Sequence, residues 1–201
     1  MLKTSLFCFL FFLSISICSA QNFKGGFYAG MTTSQIDGDA MRGYHMPGFN
    51  VGAFTQVALG DQSNLKLELA YIQKGSRDTL NLMRFRVNYV EIPVIYSLRW
   101  NFLSFEIGPA LDILASSKDD GQGVTQYNQN DYRKVSLSGI VGVSYHFNEQ
   151  WHINFRSNNS ITPMTPPSDR PSVSKSFYQK VLGAGWRNIV LSFGVNYTFN
   201  R

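Results

Sequence analysis

The stretch that decides the fold is NIVLSFGVNYTF, residues 188–199, where bulky apolar side chains recur at every second position. The bulky set shares one face of an extended chain and consists of Ile189, Leu191, Phe193, Val195, Tyr197 and Phe199. The other face is mostly small and polar. A period of two is the pattern of a β-strand with chemically different surroundings on its two sides. The segment therefore predicts a strand with one face in an apolar medium.

Seven further segments show the same alternation. They are residues 23–33, 49–58, 65–73, 84–98, 102–114, 135–147 and 151–161. Helical periodicity is hard to find in the rest of the chain, so the pattern predicts an all-β fold with eight strands.

The predicted connections alternate between short and long. Three short links fall at residues 59–64, 99–101 and 148–150. The long links are rich in Gly, Asp, Asn, Ser and Pro, as loops are, and cover residues 35–46, 76–83, 117–131 and 162–187. In an outer-membrane barrel, short turns face the periplasm and long loops face the outside. We therefore expect an eight-stranded antiparallel transmembrane β-barrel with an up-and-down meander.

A soluble sandwich or lipocalin-like barrel would also alternate, but it would carry charges on its outer face. Here the second face is dominated by Gly, Ser, Ala and Asn, which suit the narrow lumen of an eight-stranded barrel. The bulky face is then predicted to meet lipid. Aromatic residues at the ends of that face, Trp100 and Trp151 among them, fit the interfaces of a membrane.

The first twenty residues have the features of a cleaved secretory signal. Lys3 precedes an apolar run over residues 6–17, and small residues follow at 18–20. The run is shorter than the roughly 20 apolar residues that a membrane-spanning helix needs. An acylated Cys18, as in bacterial lipoproteins, is the alternative. The sequence thus predicts export of the chain to the outer membrane.

The predicted domains are the signal peptide, residues 1–20, and one barrel, residues 21–201. Both cysteines, Cys8 and Cys18, lie in the signal, so disulfides are not expected in the barrel. The three histidines are scattered, and neither a metal site nor a cofactor is predicted. One of the 18 Lys and Arg residues lies in the signal, which leaves 17 cationic residues against 13 Asp and Glu, an excess of four positive charges. That excess is too small for a nucleic-acid partner.

Charged residues occur on the small-residue face of several strands. Parity places Glu91 in the lumen, because its neighbours Val90 and Ile92 lie on the lipid face. A charge facing lipid there would cost up to about several kcal/mol. Carboxylates close together in a narrow lumen need cations to stay ionised. We therefore predict an ion-pair network that closes the lumen, with the members Lys24, Lys66, Glu68, Glu91, Glu106 and Arg156.

Two prolines interrupt predicted strands. Pro93 and Pro109 lack a backbone N–H, and a closed barrel has no edge strand on which such a gap is tolerated. We therefore expect β-bulges at both positions.

Four motifs in this order resemble the PorT-like outer-membrane β-barrel family of Bacteroidetes. They are GFNVG at residues 48–52, YIQKGS at 71–76, NYVEIPV at 88–94 and EIGP at 106–109. The resemblance covers nearly the whole barrel and implies a small barrel in the outer membrane. The namesake is linked to protein secretion across that membrane, which makes secretion proteins the implied partners. These motifs mark the fold, so they do not by themselves transfer the namesake's role.

The last strand also resembles an outer-membrane assembly signal, which implies contact with the assembly machinery. The usual signal ends in Phe, whereas Phe199 is followed here by Asn200 and Arg201.

A non-enzymatic barrel that contacts lipids and envelope partners is the first functional hypothesis. Twelve cations, Lys74 and Arg187 among them, fall in the predicted outer loops or at the loop ends of strands. They are expected to form a rim that contacts lipopolysaccharide phosphates. The residues proposed for this rim are Arg77, Arg84, Arg86, Arg133 and Lys134. An ordinary solvated loop surface accounts for them about equally well.

Two other classes stay open. An outer-membrane lipase, protease or acyltransferase needs a nucleophile and a base near the outer rim, where only His45 is predicted. His146 and His152 flank a periplasmic turn and are interpreted as interfacial or lumen-filling residues, so no catalytic residue is predicted. A channel or ligand carrier has little room in eight strands. The proline-containing loop, residues 162–174, is either a partner-binding element or a cover.

Overall fold

The computed structural model describes residues 23–39, 41, 43–78, 83–121, 132–165, 177–182 and 185–199. The predicted signal peptide, residues 1–20, lies outside the described residues, as does most of the proline-containing loop. No helix within these ranges is both long and apolar enough to cross a membrane.

The described part of the chain contains eight strands and one short helix. The strands are β1 Phe23–Asp37, β2 Met46–Ala58, β3 Ser63–Arg77, β4 Met83–Trp100, β5 Leu103–Gly121, β6 Val135–His146, β7 Trp151–Ser160 and β8 Arg187–Thr198, and the helix is α1, Phe177–Leu182. Each strand pairs antiparallel with its neighbours in the chain, and β1 also pairs with β8. The predicted closed, eight-stranded antiparallel barrel is therefore confirmed.

The two faces of the wall differ as the alternation predicts. On β8, Phe193 and Val195 are exposed on the outside, while Ser192 and Asn196 are buried inside. Large apolar side chains are exposed on every strand of the barrel, including Met31, Leu69 and Ile107. An eight-stranded wall with this outer surface matches the lipid-facing band of a transmembrane barrel.

The first five strands are longer than the alternation predicts, and β3 and β5 gain most. β3, β4 and β5 have 15, 18 and 19 residues, whereas β6 and β7 have 12 and 10. Most of the added residues lie at the end that carries the long loops. We call this part of the barrel the extension. Its wall is tall on the β3–β5 side and low on the β6–β7 side.

The two faces exchange their chemistry within the extension. Outward side chains on β4 change from Val90 to Asn88, Arg86 and Arg84, while the inward residues become apolar. A buried apolar core fills the inside, and it consists of Ile36, Ile72, Phe85, Val87, Tyr89, Tyr132, Met164, Trp186 and Val190. An apolar interior with a polar exterior is the arrangement of a barrel in water. The extension is thus built as a soluble barrel that continues the membrane barrel.

The bulges expected at the two prolines are wrong. The β3–β4 ladder skips Pro93 without a change of register, and the β5–β6 register continues through Pro109, which lies opposite Gly139. The register shift of the β4–β5 pair lies instead between Asn88 and Tyr89, at the base of the extension. A proline removes one N–H from the ladder, and this wall accommodates that loss locally without an extra residue.

The wall is unusually tight where β5 passes β4 beside the prolines. A Cβ atom on Gly108 would lie 1.9 Å from the carbonyl oxygen of Val94. Only glycine permits that approach, because any side chain there would overlap the neighbouring backbone. The close approach of the neighbouring strand therefore explains why the EIGP motif has a glycine at position 108.

Candidate functional site

The lumen at the level of the lipid-facing band is closed by buried charges. Arg156 of β7 reaches across to Glu68 of β3, with Nη1 and Nη2 each 2.8 Å from a carboxylate oxygen. Its Nε lies 2.7 Å from Glu106 Oε2 on β5. Lys66 Nζ lies 3.1 Å from Glu106 Oε1. We call these four residues the lower cluster. Two cations balance two carboxylates within it.

Aromatic rings surround the cations of the lower cluster. The guanidinium of Arg156 lies 5.9 Å from the ring centre of Tyr28, and Lys66 Nζ lies 5.1 Å from that of Phe54. Both aromatic residues are buried. Cation–π contacts of this kind add to the ion pairs and exclude water from the charges.

A second group of charges lies closer to the extension. Lys74 Nζ lies 2.7 Å from Glu91 Oε2 and 3.0 Å from both oxygens of Asp112. The amide of Asn158 donates a hydrogen bond to Glu91. Lys74 Nζ also lies over the ring of Tyr89, 5.3 Å from its centre. We call Lys74, Glu91 and Asp112 the upper cluster. It holds two carboxylates against one cation.

The predicted network is thus divided into two. Lys66, Glu68, Glu106 and Arg156 are in mutual contact, but Glu91 belongs to the upper cluster. Lys24, which was predicted as a member, is exposed at the periplasmic mouth, because β1 begins there.

Two members of the upper cluster escaped the prediction. Lys74 was expected among the cations of the outer loops and strand ends, yet it is fully buried, because β3 continues to Arg77 and keeps the lumen parity of Lys66 and Glu68. Asp112 lies directly opposite Glu91 in the β4–β5 register. The alternation of β3, continued one residue beyond its predicted end at residue 73, would have placed Lys74 in the lumen. Arg187 is also buried, and it donates hydrogen bonds to backbone carbonyls near α1.

A polar cavity of about 290 Å³ opens below the lower cluster, at the end with the short turns. Lys24, Arg99, Glu149, His146 and His152 are among its lining residues. The two histidines, which looked scattered in sequence, pair across β6 and β7 with ring centres 4.8 Å apart. The described residues contain no group of three or more His, Cys, Asp or Glu side chains arranged to hold a metal ion.

One contact in this cavity has the residue types of a hydrolase. Ser104 Oγ lies 2.8 Å from His146 Nε2. Sequence spacing gave no signal of it, because β5 and β6 bring together residues 42 positions apart. His45, the histidine considered for the outer rim, lies in the β1–β2 connection at the opposite end of the barrel.

The predicted rim residues lie at the top of the β3–β6 side of the wall. Arg77 lies opposite Arg84 in the β3–β4 pair, and Arg86 lies two residues further along β4, closer to the membrane barrel. Arg133 and Lys134 are exposed just before β6.

The comparison with protein families agrees with this architecture. The model of the outer membrane protein beta-barrel domain matches residues 19–165. The chain belongs to this family. An outer membrane protein beta-barrel domain lies in the bacterial outer membrane, so the apolar outer band faces lipid.

Solved structures show the same fold at low sequence identity. Ail, the attachment invasion locus protein of Yersinia pestis, solved with the heparin analogue sucrose octasulfate, is 14% identical, and the match covers 89% of this chain and 99% of that chain with a TM-score of 0.51. Neisserial surface protein A is 12% identical, with 87% and 97% covered and a TM-score of 0.55. No curated protein is significantly similar in sequence to this outer membrane protein beta-barrel domain.

Proposed function

We propose that this chain is a small, non-enzymatic barrel of the outer membrane that conducts no solutes and contacts lipopolysaccharide and envelope partners through its extension and loops. We further propose that residues 1–20 are removed on export and that residues 21–201 form one domain. The PorT-like motifs make the protein secretion apparatus the first place to look for a partner.

The observation that carries this proposal is the double closure of the lumen. The lower cluster spans the barrel from β3 to β7, and its side chains are at most 6% exposed. Above it lie the upper cluster and then the apolar core of the extension. A solute would have to break buried ion pairs and then cross a packed core, and both steps are costly.

Conductance of the purified barrel in planar bilayers tests the closure. We expect no steady channel from the wild type. Arg156→Ala removes the side chain that bridges β3 and β5, and it serves as the positive control for a weakened seal. A stable wild-type conductance would contradict the proposal.

Partner contact is tested by a photo-crosslinking residue placed on the outer surface. Tyr44, exposed in the β1–β2 connection, is a suitable position, and Phe105, exposed on the lipid face, is the matched control. We expect protein crosslinks in intact envelopes from position 44 and lipid crosslinks from position 105. Crosslinks to lipid alone at both positions would argue against a protein partner at this surface.

A hydrolase is the second candidate function, because of the contact between Ser104 and His146. A serine–histidine pair activates a nucleophile when the histidine is itself oriented by a third group. Reaction of the purified barrel with a fluorophosphonate probe tests it. Labelling that disappears in Ser104→Ala and in His146→Ala, but persists in His45→Ala, would replace the non-enzymatic proposal.

A further inference from the structure

Five cations form a continuous basic band on one side of the extension. The band consists of Arg77 on β3, Arg84 and Arg86 on β4, Lys118 on β5 and Arg133 just before β6. Lys118 was not among the predicted rim residues, and it belongs here because it lies opposite Arg86.

The ladder makes these residues neighbours. Arg84 lies opposite Arg77 in the β3–β4 pair. The N–H of Leu114 donates to the carbonyl of Lys134, so β5 and the chain at Arg133 continue side by side. The cations therefore occupy four adjacent segments of the wall.

The band points sideways from the barrel. Arg84 and Arg86 alternate with the buried Phe85 and Val87, so their side chains lie on the outer face. Lys134 is adjacent to the band in sequence but has the parity of the buried Ser136, and we leave it out of the band.

The band lies directly above the lipid-facing surface. Val90, Ile113 and Val135 form one row across β4, β5 and β6. Arg133 is two residues above this row and Arg86 is four, which corresponds to about 7 and 13 Å along the strands at roughly 3.3 Å per residue. The headgroup layer occupies roughly the 5–8 Å next to the hydrocarbon core. With this row taken as the edge of the acyl chains, Arg133 lies within that layer, and the long side chain of Arg86 can extend down towards it.

Acidic residues do little to neutralise the band. Asp120 is the one carboxylate on the outward face of the described β3–β6 strands. It lies opposite Arg84 in the β4–β5 pair, and its carboxylate contacts Lys118 at 3.2 Å in an exposed pair. In the described part of the chain, no carboxylate lies within ion-pair distance of Arg77, Arg84, Arg86 or Arg133.

The opposite side of the barrel differs at the same height. The residues of outward parity there are Thr33, Gln35 and Asp37 on β1 and Arg187, Ile189 and Leu191 on β8. Asp37 is an acid, and Arg187 is buried, with its guanidinium donating to backbone carbonyls, so none of them is an exposed cation. The basic character is therefore confined to one side of the wall, which a general solvated surface does not explain.

We propose that the basic band binds the phosphate groups of lipopolysaccharide in the outer leaflet, on the β3–β6 side. This inference rests on the proposed function, because it needs the extension to lie on the outer side of the membrane. Arginine suits the role, since its planar fork donates two parallel hydrogen bonds to one phosphate. A soluble polyanion would meet the top of the barrel, whereas an anion held at the lipid surface meets an outward-facing band.

Native mass spectrometry of the detergent-folded full chain with bisphosphorylated lipid A tests the inference. Each basic residue near an anionic lipid surface contributes roughly a fivefold factor, so Arg84→Ala with Arg86→Ala is expected to weaken binding about thirtyfold at low salt. Monophosphorylated lipid A should bind more weakly than the bisphosphorylated form, and phosphatidylcholine should show no difference between wild type and variant.

Arg99→Ala is the matched control, because Arg99 is a cation of the same strand at the periplasmic end. Its affinity should change less than twofold. An equal loss in both variants, or no loss in the double variant, would overturn the inference. Stronger competition by heparin than by lipid A would overturn it in favour of a soluble polyanion. A conducting wild type with intact lipid A binding would instead contradict only the closed lumen of the proposed function.

Discussion

The membrane barrel and its extension are parts of one wall, but they place charged and apolar side chains on opposite faces. In the membrane barrel, Glu68, Glu106 and Arg156 are inside and apolar side chains are outside. In the extension, Phe85 and Trp186 pack inside while Arg84 and its neighbours point outward. The medium around the wall explains the exchange, because lipid rejects charges and water rejects apolar surface. The alternation of apolar and polar residues along a strand therefore identifies the inward face only where it is known whether lipid or water surrounds the wall.

The largest effect is expected from Arg156→Ala, because it leaves Glu68 and Glu106 buried without their main cation. Removing one partner of a buried ion pair costs about 3–5 kcal/mol. We expect a loss of about 5 kcal/mol in the free energy of unfolding, measured by urea titration in detergent micelles. Arg99→Ala, which breaks a pair with Glu149 that is largely exposed, should cost less than about 1 kcal/mol. Equal costs would show that the lower cluster does not stabilise the membrane barrel.

The next largest effect is expected in the apolar core of the extension. Phe85→Ala leaves a cavity beside Trp186, whose ring centre lies 5.3 Å from that of Phe85. Such truncations cost about 3 kcal/mol or more. We expect the loss to appear in the extension first, as faster hydrogen exchange of β4 residues 84–88 with little change at residues 92–98. Lys118→Ala, on the exposed face of the same extension, should change the exchange very little.

The membrane barrel was more predictable from sequence than the extension. Alternation fixed the strand number, the lipid face and the lumen position of Glu91, because one rule applies along the whole membrane-spanning part. It failed where the medium changes, because Lys74 was counted among the cations of the outer loops and strand ends, although β3 continues and buries it. The core around Tyr132 and Met164 depends on loop residues that return to the barrel, and no periodic pattern reports such contacts. Cross-strand neighbours such as Asp112 need the register, which alternation alone does not supply.

Burial of Asp39 gives a smaller, pH-dependent effect in the extension. Desolvation raises the pKa of this carboxyl to about 7, although the N–H of Met41 donates to Oδ1 and stabilises the ionised form. The folded state thus holds the proton more tightly than the unfolded chain, so stability should fall as the pH rises from about 4 to 7. We expect a loss of about 1–2 kcal/mol over this range. Asp39→Asn should remove the pH dependence, and an unchanged profile would show that Asp39 is hydrated.

The smallest effect on stability is expected in the upper cluster, whose charge balance differs from that of the lower cluster. The upper cluster has one more carboxylate than cations, whereas the lower cluster is balanced. Asp112→Asn keeps the pair of Lys74 with Glu91 and is expected to cost less than about 1 kcal/mol or to stabilise. Glu91→Gln should cost more, because it removes the charge of the oxygen that accepts hydrogen bonds from both Lys74 and Asn158. Heat stability of both variants at equal pH checks the order, and the reverse order would contradict it.

The most direct test of the exchange of faces is a cysteine scan along β4 of the barrel in proteoliposomes, since both native cysteines lie in residues 1–20. Probes attached at Val90, Ile92 and Val94 should be quenched by nitroxide groups on lipid chains. Probes at Arg84 and Arg86 should be quenched only by an aqueous reagent. Lipid quenching at positions 84 and 86, or aqueous quenching at 90 to 94, would contradict the account.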